Sequence, residues 1–218
     1  MTKTIFIPCR SKADIELVVE NILEKVGFKK IGLVTTAQFV DDLSEIKKRL
    51  EAGGKTVIIS PGRPNLGQIL GCDVRAAKGA DAYVYLGTGH FHPMRVALET
   101  EKPVFIVHPS GGIERVSDEV IMKHRRIQAA RLYKFKEANV VGILVSTKPG
   151  QSRMEKALGL KKKLAGSKET FIFAANEIKP EYLTGYDVDA WVNTACPRIA
   201  EDVFDRPVVD ISEIEGKQ

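Results

Sequence analysis

The chain has 218 residues, 44% of them hydrophobic, and a net charge of +5. That length admits one large domain or two ordinary ones, and the apolar fraction is ample for a buried core, which excludes a disordered or fibrous chain. The opening "MTKTIFIPCR" has only a few apolar residues before Pro8, and no run reaches bilayer-spanning length, so the expectation is a soluble cytoplasmic protein with no leader and no membrane partner.

In chain order, the first strong signal is "KKIGLVTTAQFVDDLSEIKKRLEAGGKTVIIS". A β-branched strand, Ile31 to Thr35, runs into a polar turn with Thr36 and Gln38, then a helix-period segment, a glycine break and a second strand. About a hundred residues later the same order returns in "NVVGILVSTKPGQSRMEKALGLKKKLAGSKETFIFA", with its strand at Val140 to Ser146. Each half then closes alike: "GADAYVYLGTGHF" matches "DVDAWVNTACPRI", an Asp-Ala pair leading into a strand and an unusual loop. Strands buried on both faces and alternating with helices predict α/β architecture, with two repeated three-layer α/β/α units and mainly parallel sheets. The segment "SDEVIMKHRRIQAARLYKFKEAN" has helical spacing of Val120, Ile121, Ile127, Ala130, Leu132 and Phe135, and predicts one long helix capped by Ser117 or Asp118. The glycines of "PSGGIER" break both periods, so the units are expected at 1–112 and 113–218.

In parallel α/β sheets ligands bind beyond the carboxyl ends of the strands, which singles out four loops: "TTAQF", "GTGHFHP", "STKPGQSR" and "NTACPR". In the third, Gln151, Arg153 and the free amides of a helix starting near Met154 suit a carboxylate or phosphate, unless Gly150 merely permits a plain turn. In the second, Gly87 and Gly89 loosen the backbone around His90 and His92, which an extended loop would aim to one side for a metal or an anion. Phe91 reads as packing, His108 as a strand cap and His124 as surface. Lysines spread over helical faces, as in "LGLKKKLAG", favour a solvated surface over nucleic acid.

Three cysteines at wide spacing, Cys9, Cys72 and Cys196, argue against a disulfide framework or a zinc ribbon. Buried thiols are the plain alternative; yet Cys72 precedes an expected helix start, where amide dipoles favour thiolate, and Cys196 stands before Pro197 in a strand-end loop. Single thiolates from separate loops can hold an iron-sulfur cluster with one iron open.

The stretches "GQILGCDVRAA", "ADAYVYLGTGHFHPMRVALETEKPVF", "VGILVSTKPGQSR" and "VDAWVNTACPRIAED" resemble the diphthamide synthesis proteins, the 2-(3-amino-3-carboxypropyl)histidine synthases, over nearly the whole chain. The resemblance implies a three-domain protein in which one cysteine per domain binds a 4Fe-4S cluster whose open iron engages S-adenosylmethionine. A 3-amino-3-carboxypropyl radical released there adds to a histidine of elongation factor 2. By this resemblance Cys72 and Cys196 match the second- and third-domain ligands, and Thr36, Gln38, Gly87, Gly89, His90, Gln151 and Arg153 fall in loops lining the site. The chain begins about where the family's second domain begins, and Cys9 matches no motif and reads best as a half-buried strand thiol. The third thiolate then comes from Cys9, from a second copy, or from a partner chain, or else the protein is a non-catalytic binding or scaffold member without a cluster.

Overall fold

A computed structural model describes Ile5 and residues 7–215. The chain divides into two compact units, residues 1–121 and 122–218. The first contains α1 (Ile15–Lys25), β1 (Lys30–Thr35), α2 (Leu43–Ala52), β2 (Thr56–Ile58), β3 (Ala82–Leu86), α3 (Phe91–Thr100), β4 (Val104–Val107) and β5 (Ile113–Arg115). The helix α4 (Asp118–Glu137) starts in it and leads into β6 (Val140–Ser146), α5 (Met154–Leu164), β7 (Glu169–Ala175), α6 (Pro180–Leu183), β8 (Ala190–Asn193), β9 (Val208–Asp210) and α7 (Ile211–Glu215).

The repeat read from the sequence is a repeat of topology. The first sheet runs β2-β1-β3-β4-β5 and the second β7-β6-β8-β9, so each unit places its first strand between its second and third. All pairings are parallel except β4 with β5, the hairpin turned by the glycines of "PSGGIER". Two packing devices recur. Gly32 lies opposite Tyr83, and Gly142 opposite Trp191, so a residue without a Cβ makes room for the large aromatic on the next strand. Lys55 donates to the carbonyls of Val26 and Phe28, as Lys168 does to those of Lys136 and Ala138, tying the carbonyls before each unit's first strand to the start of its second.

Local chemistry explains the helices that cover the sheets. In α1 the Asp14 carboxylate accepts the Leu17 amide at 3.1 Å, Glu16 and Lys25 match the helix dipole, and Val18, Val19 and Ile22 form one buried stripe. That stripe and Ile46 and Leu50 of α2 cover one sheet face through Ile31, Leu33, Val84 and Leu86. The other face, with Val34, Tyr83 and Tyr85, lies under Met94, Val96 and Ala97 of α3. In the second unit α4, α5 and α7 cover Val141, Ile143, Val145 and Val192. Its far layer is built from α6 and irregular chain around Trp191, with Phe173 and Leu183, rather than from a long helix.

The expected long helix is present as α4, with Ser117 at the cap position accepting the Ile121 amide at 3.1 Å. Its spacing of apolar residues does not translate into a buried face: Phe135 is buried, while Val120 and Ile127 stay exposed. His124 is half-buried rather than on the open surface. No helix among the described residues is long and apolar enough to cross a membrane.

Candidate functional site

In the first unit the chemistry gathers at the carboxyl ends of β1 and β3. Thr35, the last residue of β1, donates through its hydroxyl to the Leu86 carbonyl at 2.7 Å and exchanges main-chain hydrogen bonds with Gly67 and Ile69. This lengthens the strand edge by a short parallel bridge to Gln68 and launches the next segment outward. Four residues later the chain reverses: Leu70 and Asp73 exchange both backbone hydrogen bonds, at 2.8 and 3.1 Å, and Cys72 lies at the exposed tip. No helix follows it, which corrects the expected dipole-activated thiol. The segment 74–80 continues as turns and bends, because it must return to β3 within a few residues. The tip is braced by Phe91, whose ring would lie 2.2 Å from a Cβ built on Gly71.

The loop after β3 also differs from the expected one. His90 caps α3 and His92 falls in its first turn, so the two imidazoles diverge as helical neighbours do instead of sharing a side. His90 is exposed and reaches Glu114 at 3.6 Å, whereas His92 stacks on Tyr85 with ring centres 6.1 Å apart. Burial holds the His92 imidazole below its usual range, so it is neutral at physiological pH. Gly87 and Gly89 have φ of 156° and 76°, and a side chain at Gly87 would also strike the Tyr85 hydroxyl at 2.6 Å.

Tyr85 is the residue that sequence reading passed over, since within "AYVYLG" it looks like any strand aromatic. It is fully buried, yet its hydroxyl meets the Thr36 side chain and lies 3.5 Å from the Thr88 carbonyl, linking the loops after β1 and β3. Thr36 itself donates to the Gln38 side chain at 3.3 Å, and the Gln38 carbonyl accepts the Ser11 amide at 2.8 Å. The N-terminal segment is thereby fastened to this loop, with Arg10 bonded to the Ala37 carbonyl and paired with Asp41 at 3.1 Å. Cys9 precedes that anchor and is exposed, not the half-buried strand thiol expected.

Burial lifts the Tyr85 phenol from 10.0 to about 12. A raised folded-state value means full stability below pH 10 and loss as pH climbs through 12, roughly 3 kcal/mol in total. Urea unfolding at stepped alkaline pH should show this loss in the wild type and a shallower one in Tyr85→Phe. Equal slopes in both proteins would remove Tyr85 as the cause.

In the second unit the corresponding edge is built around Asn193, at the end of β8. Fully buried, it donates to the Cys196 carbonyl at 2.9 Å and to Asp210 at 3.1 Å, and accepts the Ala195 amide at 3.0 Å. Thr194 donates to the Leu144 carbonyl of β6 at 2.8 Å. Together these bonds shape "NTACPR" into a tight loop whose Cys196 is half-buried and caps a 3-10 turn, Pro197–Glu201. After β6, Ser146 accepts the Lys148 amide, Gly150 turns with φ of 78°, and Gln151 and Arg153 lie half-buried just before α5 begins at Met154.

All three cysteines are free thiols. Among the described residues, no three His, Cys, Asp or Glu side chains gather into a group that would hold a metal ion. Cys72 and Cys196 are single soft donors, each in a turn at the strand-end edge of its own unit.

A family model for diphthamide synthesis proteins matches residues 1–216. The chain belongs to that family. The 2-(3-amino-3-carboxypropyl)histidine synthase of Pyrococcus horikoshii is 33% identical over 224 residues, spanning 97% of this chain and 64% of the relative. That of Methanocaldococcus jannaschii is 31% identical, spanning 98% of this chain and 61% of the relative. The crystal structure of Dph2 from Pyrococcus horikoshii with a 4Fe-4S cluster superposes with a TM-score of 0.82 at 32% identity, covering 92% of this chain and 60% of that one. This member of the diphthamide synthesis family thus spans less than two thirds of the length of these relatives and shares the fold of that crystal structure.

Proposed function

We propose that this chain is a working part of a 2-(3-amino-3-carboxypropyl)histidine synthase, its segments 1–112 and 113–218 corresponding to the family's second and third domains. In this reading Cys72 and Cys196 each contribute one thiolate to a 4Fe-4S cluster. The third comes from Cys9 or from another chain, either a second copy or a partner subunit. When bound, such a cluster supplies one open iron for the sulfonium of S-adenosylmethionine and the electron for its cleavage. The acceptor is a histidine of elongation factor 2, met in the reducing cytoplasm where free thiols persist.

One observation carries the reading. The two thiols that stand in the family's own motifs are both free, and each is held by a hydrogen-bonded turn at the carboxyl-end edge of a parallel sheet. The protein's own contribution is positioning. Asn193 holds the Cys196 loop, the Leu70–Asp73 turn presents Cys72, and Tyr85 joins the loop after β1, which carries Thr36, to the loop after β3, which carries Gly87, Gly89 and His90. Gln151 and Arg153 offer an amide and a guanidinium to an anionic group, carboxylate or phosphate.

Anaerobic reconstitution of the full chain tests it. The wild type is expected to take up iron and sulfide with visible charge-transfer absorption, and Cys72→Ala and Cys196→Ala each to lose them. Cys9→Ala and the mass in solution identify the source of the third thiolate. Full iron content in either of the first two variants overturns the ligand assignment, and a wild type that takes up no iron leaves a binding or scaffold role in its place.

A further inference from the structure

The first unit holds a pocket of about 200 Å³ beside the loop after β3. It is lined by Gly87, Thr88 and Gly89 from the loop after β3, Ile106 of β4, His108 after β4, and Gly112, Ile113 and Glu114 of the β4–β5 hairpin. The hairpin supplies one wall of it, and among the described residues the second unit's sheet ends at β9 with no antiparallel strand beyond.

We infer that this pocket is a subsite for the zwitterionic head of an α-amino acid. Four features argue for that chemistry. Glu114 supplies a carboxylate at the rim, 3.6 Å from the His90 imidazole, and is matched to an ammonium. Nδ1 of His108 meets Ser110, 2.7 Å from its hydroxyl and 3.3 Å from its amide, which leaves Nε2 as the ring nitrogen available to a ligand carboxylate. Ile106 and Ile113 give apolar contact for a short aliphatic stem. The volume, about 200 Å³, lies below the roughly 300–1,000 Å³ of pockets that enclose drug-sized ligands, so it suits an amino-acid-sized group.

The inference deepens the reading above and rests on it in one respect: the aminocarboxypropyl end of S-adenosylmethionine is then the natural occupant, its nucleoside lying outside the pocket. The assignment of Glu114 and His108 can be tested without any cluster. Binding of S-adenosylmethionine, of L-methionine, and of 4-(methylthio)butanoate, which lacks the ammonium, is measured by calorimetry on the full apo chain and on Glu114→Gln and His108→Asn.

The expected result is weaker binding of S-adenosylmethionine and L-methionine to Glu114→Gln by roughly tenfold or more, the loss of one charge-assisted contact. 4-(Methylthio)butanoate should bind weakly to both proteins with no difference between them, and His108→Asn should weaken all three ligands. Circular dichroism of each variant shows whether the fold is kept; Glu114 is more than half exposed, so Glu114→Gln removes charge and little packing. Unchanged affinity in Glu114→Gln, equal binding of the ligand without an ammonium, or no binding of L-methionine or S-adenosylmethionine to the wild type overturns the inference. Iron uptake is scored separately: cluster loading through Cys72 and Cys196 with unchanged Glu114→Gln binding sinks the pocket alone. Binding through Glu114 without iron uptake sinks the cluster reading alone.

Discussion

Replacing Gly142 by Ala is expected to destabilise the second unit by about 3 kcal/mol or more, at the upper end of overpacking costs. An added Cβ would stand 2.1 Å from Cζ3 of Trp191, directly across the β6–β8 pairing. A clash with a flexible side chain is relieved cheaply, but this indole has nowhere to go. It is 1% exposed and wedged edge-on against Phe173 at 4.9 Å and Tyr186 at 6.1 Å, which themselves meet at 4.8 Å. Relief must therefore come from the sheet, by parting β6 from β8, and that displaces the "NTACPR" loop at the end of β8. Urea or thermal unfolding measures the effect, with Gly32→Ala as the paired control. There the Cβ meets Tyr83 at 2.6 Å, a milder overlap, and a smaller loss is expected. A Gly142→Ala protein as stable as the wild type would mean that the sheet yields where close packing says it cannot.

Changing Asn193 to Asp is expected to cost more in the loop than any substitution on the exposed surface. Asn193 is completely buried, and its amide nitrogen serves two acceptors, the Cys196 carbonyl and the Asp210 carboxylate. Asp210 is nearly buried as well, its other oxygen taken by the Ser212 amide and hydroxyl at 3.0 and 2.6 Å. A carboxylate at 193 has no hydrogen to give either acceptor and stands about one hydrogen bond from a like charge. Lost charge-assisted bonds and buried repulsion together amount to about 3–5 kcal/mol. One of the two carboxylates should then bind a proton near neutral pH, so the variant regains stability as pH falls, the reverse of an ordinary buried ion pair. Asn193→Ala, which removes the donors without adding charge, should lose less and show no such recovery. Denaturant unfolding at pH 5 and pH 8 separates the two, and equal losses at both values in Asn193→Asp would refute the paired-carboxylate account. In either variant the Cys196 carbonyl is released, and any iron bound through that thiol should be held less firmly.

Much of the architecture was legible before any coordinates. The strands at Ile31 to Thr35 and Val140 to Ser146, the strand-helix-strand order of both halves, the long α4 and the start of α5 near Met154 all stand where periodicity and glycine breaks put them. Continuous runs of β-branched residues can be buried only in a sheet covered on both sides, and that condition leaves little choice of fold. Family membership was also readable, because motifs such as "NTACPR" carry their order along the chain.

Side-chain surroundings were less accessible. The neighbours of Cys72 along the chain point to a helix start, but the bridge between Thr35 and Gln68 pulls that segment onto the edge of β1 and a reversal forms instead. The imidazoles of His90 and His92 looked like a pair while "GTGHFHP" was read as extended chain. Helix α3 begins at Phe91, one residue after His90, and a helix turns successive side chains apart.

What the amino-acid order by itself determined is the repeat, the parallel sheets, the family and the identity of the thiols and loop residues, since these follow from local patterns and residue types. What only the tertiary structure decided is which groups meet: Tyr85 beneath Thr36 and Gly87, Asn193 between Cys196 and Asp210, and Glu114 beside His90 at the mouth of a pocket. Those encounters join residues from separate strands and loops, and no periodicity along one segment encodes the register in which another segment pairs with it.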